Sequence, residues 1–249
     1  MKKSILITCA TAALASTFIL GSVGTVAQAA TTSTYFVSSV KTDKQETKKS
    51  VTFKEGKVTV SATKKATTTT PGTSTLISSV RVSKGSSSFD IKLNDGIFSI
   101  QSIAVSSDQS HVAIHLEKEA GSELLVVNLN KQTHAVLNTI VKNAAAVETV
   151  FAYQWSPTGS TLALAYGNTS LSRVALYDAA TAVFTYVPRE TSTISSAAVL
   201  WNKKGTTVDF ASEYPSDKYK LYRYTLSTKK VKVVKSLTRS EVNQLAKMQ

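Results

Sequence analysis

Three stretches of this 249-residue chain repeat one another, and a repeat of that length limits what the chain can become. Residues Ile103 to Ile114, Tyr153 to Leu164 and Val199 to Phe210 align, with Val105, Trp155 and Trp201 at equivalent positions. The spacing is about fifty residues and then forty-six. Self-similarity at that period marks propellers and solenoids, in which each unit is one small piece of supersecondary structure. In every copy a short apolar strand ends at a polar turn and a second strand rich in Val, Leu, Ala and Ile follows. A variable loop comes next, at Lys118 to Ser122, Gly167 to Ser172 and Glu213 to Lys218. A third strand, a tight turn (Asn130 to Thr133, Asp178 to Thr181, Ser227 to Lys230) and a fourth strand complete the unit. A four-stranded unit with two apolar faces has to stack on its neighbours, and Trp155 and Trp201 are placed to fill the space between units.

The run Trp155-Ser156-Pro157-Thr158-Gly159-Ser160-Thr161-Leu162-Ala163 resembles the blades of TolB-like and WD40-like bacterial propellers. The third copy keeps Trp201 and Gly205 but has Asn202-Lys203 in place of Ser-Pro. The first keeps Ser107-Asp108, with Val105 for Trp and Gln109 for Gly. The resemblance covers residues 98 to 235 and concerns a structural motif, so no partner-binding residue carries over. It implies an all-β, propeller-like array of four-stranded blades, three of them visible over 98–237, followed by a short C-terminal helix over 238–249. Propellers close with four to eight blades. Residues 31–97 are then either a divergent fourth blade or a separate β segment covering an open edge. A homodimer that completes the ring is a third solution, because an uncovered edge invites pairing. Within 31–97, hairpins are expected around Glu55-Gly56 and Lys84-Gly85, and Thr63 to Ser74 reads as a flexible connection. Thr238-Arg239-Ser240-Glu241 is a capping-box pattern, with Val242, Leu245 and Ala246 on one face of the helix it starts.

The first thirty residues read as a cleavable export signal. Lys2 and Lys3 precede an apolar stretch, and Ala27-Gln28-Ala29-Ala30 has the small-x-small form of a cleavage site. No transmembrane anchor is expected after cleavage. Cys9, the one cysteine, falls inside that signal, so the mature chain is expected to lack disulfides and thiol nucleophiles. The expected location is extracytoplasmic, secreted or wall-associated in a bacterium.

Candidates for catalysis are few. His111 and His115 lie four apart in an expected strand and so share a face, but no Cys or carboxylate stands near them at a zinc-ligand spacing. Asp108, Asp178 and Asp209 are read as turn-capping residues. No nucleophile elbow, zinc-protease motif or phosphate loop occurs. No catalytic residue, metal or cofactor is therefore assigned. The discriminating geometry for an enzyme is His111, Asp108 and a second acid converging in one pocket.

Charge is more informative. The formal net charge is +13. Residues 31–97 carry eleven Lys/Arg against five Asp/Glu, residues 98–187 four against six, and residues 188–249 twelve against five. A near-neutral middle therefore lies between two basic ends. Such ends either protect exposed strand edges from pairing or attract a polyanion. The candidate binding surface is Tyr214, Lys218, Tyr219, Lys220, Tyr222, Arg223, Lys230 and Lys232, a mixture of rings and cations suited to a glycan or peptide. Specific nucleic-acid readout has no motif to support it. The expected function is a non-catalytic binding or scaffolding module at the cell envelope, with an anionic wall polymer, envelope protein or glycan as partner. The alternatives are an enzyme acting on a wall polymer and a TolB-type envelope partner or sensor.

Overall fold

The structure is a computed structural model that describes residues 34–248 other than 70–71, 143–146, 148, 169–170, 189–194 and 214–216. The expected export signal lies outside the described residues. The N-terminal region contains β1 (Thr42–Glu46), β2 (Ser50–Glu55), β3 (Val58–Thr63), β4 (Lys65–Thr69), β5 (Gly72–Leu76), β6 (Ser79–Lys84) and β7 (Ser87–Lys92). Five of these form an antiparallel sheet in the order β1-β2-β3-β6-β7, and β4 pairs with β5 as a separate hairpin. The two expected hairpins are present, turning at Gly56 and Gly85 with φ of 58° and 61°. The stretch read as a flexible connection is instead the paired β4 and β5. A run of threonines suits a linker by composition, yet Thr is β-branched and favours extended backbone.

This first sheet has one apolar face. Val51, Phe53, Val58, Val60, Val80, Val82 and Ile91 are buried on it. The alternate positions place Thr52, Lys54, Thr59, Ser61 and Arg81 on the other face. A sheet that is polar on one side can end a stack, as capping repeats do in solenoids.

Three four-stranded sheets follow. The first is β8 (Ile97–Val105), β9 (His111–Lys118), β10 (Ser122–Asn128) and β11 (Thr133–Val136), with a one-turn helix α1 (Leu137–Ile140) after it. The second is β12 (Thr149–Trp155), β13 (Thr161–Gly167), β14 (Ser172–Asp178) and β15 (Val183–Tyr186). The third is β16 (Ser195–Trp201), β17 (Thr207–Glu213), β18 (Tyr219–Thr225) and β19 (Lys230–Leu237), and the chain continues into α2 (Arg239–Ala246). All three are antiparallel meanders.

The repeat seen in the sequence is reproduced in the backbone. Gln109, Gly159 and Gly205 occupy equivalent turn positions and all have positive φ, at 61°, 69° and 67°. Gln132, Ala182 and Lys229 do the same in the turn before the fourth strand, at 57°, 58° and 53°. The left-handed region explains the motif's glycine, and Gln109 shows that the turn forms without it at some steric cost. The amides of Leu129, Ala179 and Leu226 donate to the carbonyls of Ser110, Ser160 and Thr206, again at matching places. The first strand of each blade shifts register at one equivalent point, between Ile100 and Ser102, Val150 and Ala152, and Ser196 and Ala198.

The four sheets stack. One core joins the first sheet to blade one, through Phe53, Val60 and Val82 against Ile100, Ile114 and Leu125. A second joins blades one and two around Leu124, Trp155, Leu164 and Tyr166, and a third joins blades two and three around Ala163, Leu176, Trp201 and Phe210. Each tryptophan fills the space between two blades and also bonds across it. Trp155 Nε1 donates to the carbonyl of Ala104 at 2.8 Å, and Trp201 Nε1 donates to that of Gln154 at 3.0 Å. The outer face of blade three is covered by Tyr35, Leu237, Val242 and Leu245. Helix α2 starts with the expected capping box between Thr238 and Glu241. Both apolar ends of the stack are thus finished within one chain.

Candidate functional site

The chain enters the described structure at blade three, where Tyr35 bridges to Asn202 and the Phe36 amide donates to the Trp201 carbonyl at 2.9 Å. It then crosses to β1 at Thr42, so residues 36–41 form a strap between blade three and the first sheet. Gln154 holds the strap's near end. Its Nε2 donates to the Phe36 carbonyl at 3.1 Å, and its Oε1 accepts from the Trp201 amide at 2.6 Å.

Strands β8 and β12 are each the edge strand of their sheet. With the strap and the end of α2 they line a cleft of about 620 Å³, which we call the hub cleft. A cleft of that volume is in the range that holds small ligands. Its walls include Phe36, Ser102, Phe151, Tyr153 and Trp155. Phe151 lies at the register shift of β12 and is 39% exposed despite its size. Register shifts of this kind re-aim a side chain, and they recur next to binding sites.

Three groups give the cleft its electrostatics. Glu55 ends β2 on the apolar face of the first sheet and is only 6% exposed. Its carboxylate accepts from the Thr42 hydroxyl at 3.1 Å and from the Val105 amide, while burial pushes its pKa above the usual carboxylate range. Tyr153 bonds Ser102 through its hydroxyl at 2.8 Å, and burial raises its pKa well above the ordinary phenol value. His115 Nε2 meets Ser122 Oγ at 2.8 Å, and the Ser122 hydroxyl donates to the Val150 carbonyl at 3.0 Å. Burial lowers the His115 pKa, so the ring is neutral at pH 7. The ring stands edge-on to Tyr153, with centroids 5.6 Å apart.

His111 and His115 do share a face, both turned toward blade two, where His111 lies 6.3 Å from the Trp155 ring. His111 does not line the hub cleft. Its Nδ1 meets Ser110 Oγ at 2.7 Å and its Nε2 meets Asn128 Nδ2 at 3.0 Å. Asp108 accepts from the Ser106 and Ser110 hydroxyls at 2.6 Å, and Asp178 accepts from the Ala180 amide at 2.9 Å. Both therefore cap turns as expected. Asp209 does not. It is 1% exposed in the middle of β17, where Arg223 Nε and Nη2 donate to its two oxygens at 2.7 and 2.8 Å and the Tyr35 hydroxyl donates at 2.8 Å. The sequence reading placed it near a turn because the Trp-to-strand segment is short, and no local pattern announces a partner on the next strand. Among the described residues no three His, Cys, Asp or Glu side chains cluster in a way that could hold a metal.

The surface proposed from the sequence divides. Tyr214 lies outside the described residues. Tyr222 stacks on Phe210 with centroids 5.3 Å apart and packs against the core between blades two and three. Tyr219 packs on the opposite face, beneath Arg239, whose Nη2 donates to its hydroxyl at 2.9 Å. Arg223 is committed to Asp209. Lys220 is half-buried, and Lys218, Lys230 and Lys232 are exposed. The cleft residues Glu55, Thr42, Ser102 and Tyr153 were not singled out from the sequence. One signal was there: the alternation Val51, Phe53, Glu55 sets an acid on an apolar face.

No family model matches the chain, and no curated protein matches it. Among solved structures it is similar to TolB from Acinetobacter baumannii, at 15% identity and a TM-score of 0.38, over 63% of this chain and 37% of that one. It is also similar to the tricorn protease, at 12% identity and a TM-score of 0.41, over 80% of this chain and 22% of that one. A puromycin hydrolase mutant aligns at 11% identity and a TM-score of 0.42, over 79% of this chain and 29% of that one. The chain thus spans well under half of each of these proteins, and the likeness concerns the fold alone.

Proposed function

We propose that this protein is a non-catalytic binding module of the bacterial cell envelope, exported by its N-terminal signal and retained by charge on an anionic wall polymer. One observation carries the reading: six lysines at each end of the stack are exposed and make no ion pair among the described residues. Lys41, Lys48, Lys49, Lys54, Lys57 and Lys65 in the N-terminal region are exposed and make no ion pair among the described residues. The same holds for Lys203, Lys204, Lys218, Lys229, Lys230 and Lys232 on blade three. Other cations of the same two ends are paired, as in Lys44–Glu46, Arg81–Asp90 and Lys235–Glu241, so these twelve are the charges left for an outside partner. Two cationic ends on one rigid body favour a long polyanion, which can touch both at once.

The test is sedimentation of the purified mature protein with isolated Gram-positive walls, with and without teichoic acid, across a salt series. Retention that requires teichoic acid and collapses between about 50 and 300 mM salt supports the proposal, because screening weakens exposed contacts over that range. Absence of retention at low salt overturns it.

A further inference from the structure

We infer that the hub cleft binds an organic cation, the alkylammonium or guanidinium group of a basic peptide, with Glu55 as its counter-ion. The buried acids of the described structure are Glu55, Glu123 and Asp209. Glu123 has Lys118 at 2.7 Å, and Asp209 has Arg223 at 2.7 Å. Glu55 makes no ion pair among the described residues, although the chain carries 29 Lys and Arg. Its two hydrogen bonds come from neutral donors, Thr42 and the Val105 amide. They leave lone-pair sites open on a carboxylate that can accept about four bonds. A charge removed from water without a partner is costly, and a cation entering the cleft removes that cost.

The surroundings fit such a guest. His115 is neutral at pH 7, and Lys247, the lysine of the lining, stands exposed at the end of α2. Phe36, Phe151 and Tyr153 supply aromatic walls, which attract cations through their ring faces. The edge strands β8 and β12 offer main chain for an extended segment to lie along, the usual means by which sheets hold peptides. None of the twelve end lysines lines the cleft, so the inference does not depend on wall retention.

The experiment is titration calorimetry of the mature protein with capped pentapeptides identical but for a central Lys, Arg, Met or Glu. The Lys or Arg peptide is expected to bind at least about tenfold tighter than the Met peptide, a difference of about 1.4 kcal/mol. Butylammonium and butylguanidinium alone, run as competitors, show whether the cation suffices or the peptide main chain is also required. Glu55→Gln keeps a hydrogen-bond acceptor for Thr42 and Val105, so a merely structural role predicts no change in selectivity. The inference predicts that the preference for Lys or Arg disappears while wall sedimentation is unaltered. Phe151→Ala, at an exposed position, is expected to weaken the preferred peptide about threefold through loss of the ring contact. Lys54→Gln, on the opposite face of the sheet, changes nothing. Equal affinity for the Lys, Arg and Met peptides, failure of all of them to bind, or selectivity that survives Glu55→Gln overturns the inference.

Discussion

Replacing Trp155 by Phe tests how the blades are held together. The indole is 3% exposed and donates through Nε1 to the Ala104 carbonyl at 2.8 Å. Phenylalanine keeps an apolar ring in the gap but removes the donor and the second ring. The stranded carbonyl costs about 1 kcal/mol, the low end of the penalty for an acceptor left without a partner, because Ala104 is half-buried and lines the hub cleft. The missing ring leaves a cavity, a fraction of the about 3–5 kcal/mol that truncation of Trp to Ala costs. Together these give a loss of about 2–4 kcal/mol. A domain of ordinary stability holds about 5–15 kcal/mol in all, so the loss is a large part of the total. Trp201→Phe should behave alike, since Trp201 is 1% exposed and donates to the equivalent carbonyl of Gln154. The assay is urea unfolding followed by far-ultraviolet circular dichroism and by emission. The chain has two tryptophans, so each variant leaves one fluorophore reporting the other blade interface. A loss below about 0.5 kcal/mol in both variants, the range of a neutral surface change, would refute the claim that these indoles lock the stack.

Three further outcomes are expected. Arg223→Met should destabilise by about 3–5 kcal/mol in the same urea assay, because it leaves Asp209 charged, buried and unpaired by a cation; a loss under about 1 kcal/mol contradicts the pairing as the source of stability. Ala182→Gly should stabilise by about 0.5–1 kcal/mol, since Ala182 is exposed with φ at 58° and glycine relieves the left-handed strain at a smaller entropic cost; a destabilised variant argues against the turn as described. The pKa of Glu55 is raised above its ordinary 4.5 in the folded protein, mainly by burial. Its contribution to stability is therefore full at low pH and is lost as pH rises through the folded value. The melting temperature of Glu55→Gln relative to the parent should rise as the pH climbs from below the ordinary 4.5 through the raised folded value. Every other side chain is common to both proteins, so a pH-independent difference contradicts the unpaired burial of Glu55.

The blades were legible because a repeat is a nonlocal signal written in local terms. Val105, Trp155 and Trp201 aligned by sequence, and the structure gives them matching turns, matching register shifts and matching hydrogen bonds. The helix was legible from Thr238 and Glu241, which act on backbone within one turn. The number of strands in the first sheet was not, because Thr and Ser suit both extended pairing and loops, and only the partner strand decides. The same limit hid the site. Glu55 reads as half of a Glu-Gly turn, and its meaning depends on Thr42 and Val105, thirteen and fifty residues away in sequence. Likewise Tyr222 and Arg223 read as a recognition surface until Phe210 and Asp209, across the ladder on β17, claim them.

The measurement that bears most directly on the proposed function is wall retention of a variant with Lys54, Lys57, Lys230 and Lys232 replaced together by Gln. These side chains are exposed and make no ion pair among the described residues, so the fold should persist and can be confirmed by an unchanged melting temperature. Charge-driven retention predicts that the variant leaves teichoic-acid-bearing walls at a distinctly lower salt concentration than the parent. An identical salt profile for the two proteins would contradict it and leave the lysines as guards of exposed strand edges.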